Sequence, residues 1–215
     1  MTNASEKFAG FKDIVTSIDE IEKLAGEPMP QVLSKETDIL DDLCQTFIAR
    51  SPFCVIASSN PLGQIDLSPK GDPAGFVKVL DEKHLAIPDR PGNRRLDTFH
   101  NLVKDPRLGI IFIIPSHGET LRVGGEARIV RDFDLRTELA FNGRVPDFSI
   151  VVHVERIFMH CPKCMMRSKI WQPDAWPESK VIMDIGAAMI KHGHLSISEE
   201  DLLAEAEKAG ALKLY

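Results

Sequence analysis

The sequence predicts a mainly β fold with flanking helices, and three observations carry that expectation. Between residues 51 and 160 the apolar runs are short and rich in Val, Ile and Phe, with turn residues between them. Asn60-Pro61-Leu62-Gly63 and Asp81-Glu82-Lys83 are tight enough to close hairpins. Few helical stretches interrupt this region, whereas both ends of the chain carry helical periodicity. Short strands joined by hairpins, without a helix after each one, argue for an antiparallel barrel and against a parallel sheet.

The first 50 residues read as a helical segment that packs on the barrel. Ser17-Ile18-Asp19-Glu20 has the capping-box pattern, Ile18, Ile21 and Leu24 recur at helical spacing, and Gly26 ends the run. Pro28 and Pro30 mark a linker. A second helix is expected over 34–50, with Ile39, Leu40, Leu43, Phe47 and Ile48 on one face. The character changes at Ser51-Pro52, which opens a central domain over 51–171. Strands are expected over 53–58, 64–68, 76–80, 84–87, 107–114, 120–130 and 150–160, interrupted by helices over 93–104 and 134–141. Helical patterns return over 162–170, 181–191 and 198–209, so that 172–215 forms a helical extension. No internal repeat is visible.

Composition excludes several classes. With 215 residues, 43% hydrophobic and 27% charged, the chain is globular and long enough to bury a sizeable core. A net charge of −6 argues against a general nucleic-acid binder, which needs a basic face for phosphates. The longest apolar run, 108–115, is far short of a membrane span, and the N-terminus lacks the basic start and apolar core of a signal peptide. Four cysteines are too few for a disulfide scaffold, so a reducing cytoplasm is the expected compartment.

The most informative stretch is Ile87-Pro88-Asp89-Arg90-Pro91-Gly92-Asn93-Arg94-Arg95-Leu96. A strand runs into a Pro/Gly/Asn turn, and the turn opens a helix whose first turn would hold Arg94 and Arg95. Cations are misplaced at a helix N-terminus, which already carries partial positive charge. A bound anion resolves the conflict, because phosphate groups bind where free N–H donors and guanidinium forks converge. The bland alternative is that Asp89 and Asp97 neutralise the arginines in a solvated loop. Ser68-Pro69-Lys70-Gly71-Asp72 offers a hydroxyl, an ammonium and glycine-exposed N–H groups as a second wall for the same anion.

Other motifs speak less clearly. In Glu119-Thr120-Leu121-Arg122-Val123-Gly124-Gly125-Glu126-Ala127-Arg128, strand alternation puts Arg122, Glu126 and Arg128 on one face, best read as the solvated outside of a barrel strand. Cys161-Pro162-Lys163-Cys164 lacks a second cysteine pair, since Cys44 and Cys54 stand ten apart, so two packed thiols are the favoured account and no metal is expected. The seven histidines are scattered, without the i,i+4 spacing of a helical metal pair. No Walker loop, Ser-His-Asp order or GxGxxG pattern is present, and no catalytic acid or base can be named.

Ser-Pro-Lys-Gly-Asp at 68–72, Ile-Pro-Asp-Arg-Pro-Gly-Asn-Arg-Arg-Leu-Asp at 87–97, Asp-Pro-Arg-Leu-Gly at 105–109 and Glu-Thr-Leu-Arg-Val-Gly-Gly at 119–125 resemble the pyridoxamine 5′-phosphate oxidase-like, FMN-binding split-barrel family. Together with Cys-Pro-Lys-Cys-Met-Met-Arg-Ser-Lys-Ile-Trp at 161–171, they are most similar to its bacterial "PPOX class" branch. The resemblance covers roughly residues 33–171. It implies a six-stranded antiparallel split β-barrel, usually a homodimer with one FMN in each of two clefts between subunits. It places the FMN phosphate on Asn93, Arg94 and Arg95 with Ser68 and Lys70, and runs Ile87, Pro88, Asp89 and Arg90 beside the isoalloxazine ring. Arg167, Ser168 and Trp171 would approach from the partner subunit, and Arg122 or Arg167 would stabilise the reduced ring at its pyrimidine edge. The implied activity is an FMN-dependent oxidoreductase taking a hydride from a small molecule. Pyridoxamine phosphate is not the expected donor, because residues 172–215 do not resemble the family's substrate-binding C-terminal segment. The alternatives are a non-catalytic flavin store or sensor, and a split barrel using F420 or haem, the last with His100 or His160 as axial ligand.

Overall fold

The computed structural model describes residues 7–178 and 184–215. The chain divides into two compact units, Met1–Lys35 and Glu36–Tyr215. The first holds helix α1 (Ile18–Ala25), which ends where Gly26 takes φ 76°, and a single turn, α2 (Pro30–Leu33), with proline at its first position. Ser17 precedes α1 in extended conformation, but its hydroxyl makes no capping bond.

In the second unit the helix expected over 34–50 is shorter. Helix α3 (Asp42–Arg50) begins only after Asp41, whose carboxylate accepts from the Cys44 N–H at 2.8 Å. The residues before it are drawn into the sheet instead: Thr37 and Ile157 exchange backbone bonds of 3.0 and 2.7 Å, and the Leu40 N–H donates to the Glu82 carbonyl at 2.8 Å. A carboxylate cap and three long-range backbone bonds outweigh the helical periodicity.

Seven antiparallel strands form one sheet: β1 (Phe53–Ser59), β2 (Ile65–Gly71), β3 (Lys78–Val79), β4 (His84–Pro88), β5 (Arg107–Ile113), β6 (Thr120–Val130) and β7 (Ser149–His160), in the order β2-β1-β5-β6-β7-β4-β3. The antiparallel, mainly β character is as the sequence predicts, and seven is also the number of strands in its alternation pattern. The six strands implied by resemblance are exceeded, and the ladder does not return from β3 to β2. β3 is only two residues long, so little backbone is left there for further pairing. Between the strands and after them come α4 (Asp97–Lys104), α5 (Phe133–Glu138), α6 (Lys163–Ser168), a 3-10 turn (Pro173–Ala175), α7 (Ile185–Gly193) and α8 (Glu199–Lys208). Residues 181–183 of the helix expected over 181–191 lie outside the described residues.

One face of the long strands closes the core. Ile56, Phe112, Leu121, Ile150, Val152, Val154 and Ile157 are buried there with Leu40 and Ile48 from the α3 segment and Phe99 and Leu102 from α4. Apolar burial of this extent is the main stabilising term. The β6–β7 ladder carries a register shift between Gly124 and Gly125. A Cβ on Gly125 would run into the carbonyl of His153, so only glycine lets the two backbones approach this closely. Among the described residues no helix is long and apolar enough to cross a membrane.

Candidate functional site

Strand β2 presents alternate residues inward, so Asp66, Ser68 and Lys70 are half-buried on one face while Ile65, Leu67 and Pro69 are exposed on the other. Their cross-strand partners on β1 are Ser58, Ile56 and Cys54, all buried. This puts an ammonium, a hydroxyl and a carboxylate at the edge of the core. The segment after β4 lies along the same face. Thr98 Oγ1 reaches Asp66 Oδ2 at 3.5 Å, Arg95 feels the Asp66 charge, and Asp89 feels that of Lys70. The base of α4 is fixed by a buried bond from Asn101 Nδ2 to Ser58 Oγ at 3.0 Å. Ser68, Lys70, Asp89 and Arg95 are therefore brought to one neighbourhood from positions up to 27 apart in sequence.

The loop itself differs from the expectation. Arg94 and Arg95 do not lie in the first turn of a helix, because α4 begins at Asp97. Helix geometry is interrupted by two left-handed residues, Arg94 (φ 61°) and Leu96 (φ 58°, ψ 23°), and the positive φ falls on these bulky residues rather than on Gly92. Left-handed geometry in a bulky side chain costs about 1–2 kcal/mol, and such conformations cluster where a ligand is clamped. The Asn93 Oδ1 accepts from the Arg95 N–H at 3.0 Å, which tightens the turn, and Asp97 holds the Arg95 guanidinium at 2.7 Å.

Charge at this site is unevenly satisfied. Among the described residues neither the Lys70 nor the Arg94 side chain makes a hydrogen bond or an ion pair. For Lys70, half-buried on β2, that is unusual, because a buried cation ordinarily has a partner. Burial pushes the Asp89 carboxyl above the ordinary carboxylate range, with Lys70 pulling it down and Asp147 adding to the rise. Asp66 is turned toward Thr98 and Arg95. The set suits a phosphate: free ammonium, free guanidinium, hydroxyl and a strained turn.

The remaining candidates have other surroundings. Ile87 and Pro88 are buried, Ile87 within the hydrophobic core. Arg90 turns away: its Nε pairs with Asp72 Oδ2 at 2.5 Å, its Nη2 donates to the Leu139 carbonyl at 3.0 Å, and its Cζ sits 5.9 Å from the Phe141 ring centroid. The Asp72 side chain is 1% exposed and also accepts from the Tyr215 hydroxyl. Arg122 is on the outer face, stacked on Phe158 with Arg156 as second cation. Next to it a trough of about 320 Å³ is floored by Ala57, Gly109 and Gly124, small residues in successive cross-strand positions, and edged by Leu67. Arg167 and Ser168 end the exposed α6, and the Trp171 indole donates to the His117 carbonyl at 2.8 Å. Cys161 and Cys164 are exposed, not packed; the packed thiols are Cys44 and Cys54, whose pKa values burial pushes up to about 12.

With these placements known, comparison with other proteins becomes informative. The family profile of pyridoxamine 5′-phosphate oxidase matches residues 40–161, more than half of the chain. The chain belongs to that family. Solved structures with a similar fold include HupZ of Group A Streptococcus (20% identity, 55% of this chain and 92% of that one, TM-score 0.46). Another is a protein of Clostridium acetobutylicum related to general stress protein 26 of B. subtilis, of the pyridoxinephosphate oxidase family (15%, 54% and 84%, TM-score 0.39). A third is an F420 reductase (16%, 54% and 94%, TM-score 0.40). No curated protein matches the chain.

Within the pyridoxamine 5′-phosphate oxidase span lie Ser68, Lys70, the 87–95 segment and Arg122; Arg167, Ser168 and Trp171 lie beyond it. Three residues at the site carry no mark in the sequence reading. Asp66 was available from β2 alternation, two positions before Ser68. Thr98 and Ser149 were not: Ser149 is fully buried opposite Pro88, with no described partner for its hydroxyl, because β4 and β7 meet there.

Proposed function

We propose that the protein is an FMN-dependent oxidoreductase that takes a hydride from a small-molecule donor. The observation that carries this reading is the half-buried Lys70 ammonium, without an ion pair among the described residues and within electrostatic reach of Asp89 in the segment that leads to the left-handed arginine turn, in a pyridoxamine 5′-phosphate oxidase family chain. Lys70, Ser68 and Arg94 would bind the FMN phosphate, Asn93 and Arg95 would hold the turn around it, and the Pro88–Asp89 backbone would flank the ring. FMN held by these residues would supply hydride acceptance from the donor and electron transfer to dioxygen or another acceptor. The chain's own contribution is binding, orientation and exclusion of water.

The active form in this reading is a homodimer with a split barrel in each subunit. Support comes from the trough face, where Ile65 and Leu67 are 69% and 66% exposed beside Ala57 and Gly109. Such a run of apolar side chains is a natural contact for a second copy. Arg167, Ser168, Trp171 and Arg122 would reach the flavin across that contact. The expected location is the cytoplasm.

The test is the visible spectrum of the purified protein, with chromatography of the released chromophore and titration of FMN into the stripped protein. About one FMN per chain is expected, with Lys70→Ala and Arg94→Ala each weakening binding by about 10- to 100-fold, the worth of a hydrogen bond to a charged group. Unchanged affinity in both variants refutes the phosphate assignment. Recovery of F420 or haem in place of FMN refutes the cofactor, and an FMN that no nicotinamide can reduce favours flavin binding without turnover.

A further inference from the structure

Glu126, His153 and His84 stand side by side on β6, β7 and β4, each directly opposite the next across the sheet. The Nδ1 of His153 lies 3.1 Å from the Nε2 of His84. The other ring nitrogen of His84, Nδ1, lies 3.0 Å from both carboxylate oxygens of Asp81. That carboxylate is itself fixed, because its Oδ1 accepts from the backbone N–H groups of Lys83 and His84 at 2.7 and 2.8 Å. An ionised carboxylate only accepts, so the network puts the proton of a neutral His84 on Nδ1 and leaves the Nε2 lone pair toward His153. A carboxylate behind an imidazole in this way is how metal-binding histidines are oriented.

His153 is positioned with comparable care. It sits beside the register shift at Gly124/Gly125, and its carbonyl occupies the space that a side chain at 125 would need. Bulges re-aim side chains next to functional sites. The Gly-Gly pair, which cradles nothing near the phosphate side, thus sets the backbone of His153. Neighbouring charges are nearly balanced: Glu126 lies 3.6 Å from Arg128, and Lys83 is paired with Asp38.

We propose that His84 and His153 form a binding site for a divalent late first-row transition metal, with Asp81 orienting His84. Imidazole nitrogen suits Zn(II), Ni(II) and Cu(II). At metal–nitrogen distances of about 2.0–2.1 Å, two ligands stand roughly 3.3 Å apart at a tetrahedral angle and roughly 2.9 Å apart at a right angle. The observed 3.1 Å falls between the two. Binding needs one rearrangement: neutral His153 moves its proton from Nδ1 to Nε2, freeing the Nδ1 lone pair, with no change in net charge. Among the described residues no three ligating side chains already converge, so the remaining positions go to water or to a rotated Glu126. The site does not depend on the flavin reading.

The experiment is calorimetric titration of Ni(II) into tag-free protein carrying Cys161→Ser and Cys164→Ser, which removes the exposed thiols as competitors. One equivalent per chain is expected. His84→Gln and His153→Gln in that background should each weaken binding at least tenfold, and Asp81→Asn by about 10- to 100-fold. Circular dichroism checks that each variant is folded, and Cu(II) electron paramagnetic resonance should show coupling to two nitrogens. No binding at up to about 100 μM Ni(II), or binding unchanged in the His84→Gln/His153→Gln double variant, overturns the proposal and leaves a hydrogen-bonded histidine pair.

Discussion

At the scale of single residues, the chain separates charges and thiols by how much water they lose. Lys70 is half-buried and, among the described residues, its side chain has no ion pair, whereas Arg90, at the end of β4, is consumed by Asp72 and the Leu139 carbonyl. Two arginines of one segment thus have different surroundings: among the described residues the Arg94 side chain has no ion pair, and Arg90 ties the 72 and 139 segments together. The cysteines divide in the same manner. Burial raises Cys44 and Cys54 to about 12, so the reactive thiolate is scarce in both at pH 8, while Cys161 and Cys164 meet solvent. A disulfide-exchange reagent at pH 8 should therefore titrate two thiols quickly and the other two only on unfolding. Four equally fast thiols would contradict the burial of Cys44 on α3 and Cys54 on β1.

At the scale of elements, the loop before α4 and the β6–β7 bulge decide what the side chains can do. The helical pattern expected over 93–104 marks α4, but periodicity is blind to the left-handed turn that delays its start to Asp97. Arg94 therefore lies in the left-handed turn and not on the helix. The bulge is equally specific. Gly125→Ala would place a methyl group against the His153 carbonyl, and relief requires one strand to move. A loss of about 1–3 kcal/mol in unfolding free energy is expected, the usual cost of an overpacked site, measurable by urea denaturation. Gly124→Ala, whose added methyl would meet only the Arg156 Cβ at an ordinary contact distance of 3.9 Å, should cost far less. Equal effects would mean that the close approach at 125 is not what fixes the bulge.

At the scale of the molecule, a pyridoxamine 5′-phosphate oxidase family sheet exposes apolar side chains on the face opposite its core. In the proposed dimer this face is covered, and Leu67→Glu should shift the protein from dimer to monomer in sedimentation velocity while lowering FMN affinity. A Leu67→Glu protein that stays dimeric would move the contact elsewhere. The trough and the phosphate residues lie on opposite sides of β2, because Leu67 alternates with Ser68. Pairing and cofactor binding would therefore share a strand without competing for the same side chains.

Period-two alternation and turn residues determine the mainly β class by themselves, because they depend only on near neighbours in the chain. The strand positions and the burial of Leu40, Phe47 and Ile48 were legible on that basis, whereas Ile39 and Leu43, expected on the same face, are exposed. Resemblance in four ordered motifs pointed to the family that the profile then matched. What required the tertiary structure was every relation between distant segments. The start of α3 was set by Thr37 bridging to Ile157, the satisfaction of Arg90 by Asp72 and Leu139, and the exposure of the CxxC thiols by their place after the last strand. The histidine pair is the extreme case: 69 residues separate His84 from His153, and only the β4–β7 register brings their nitrogens together. Local sequence encodes which way a side chain points from its own strand; which other side chain it meets is decided by strand order, and that is a property of the whole sheet.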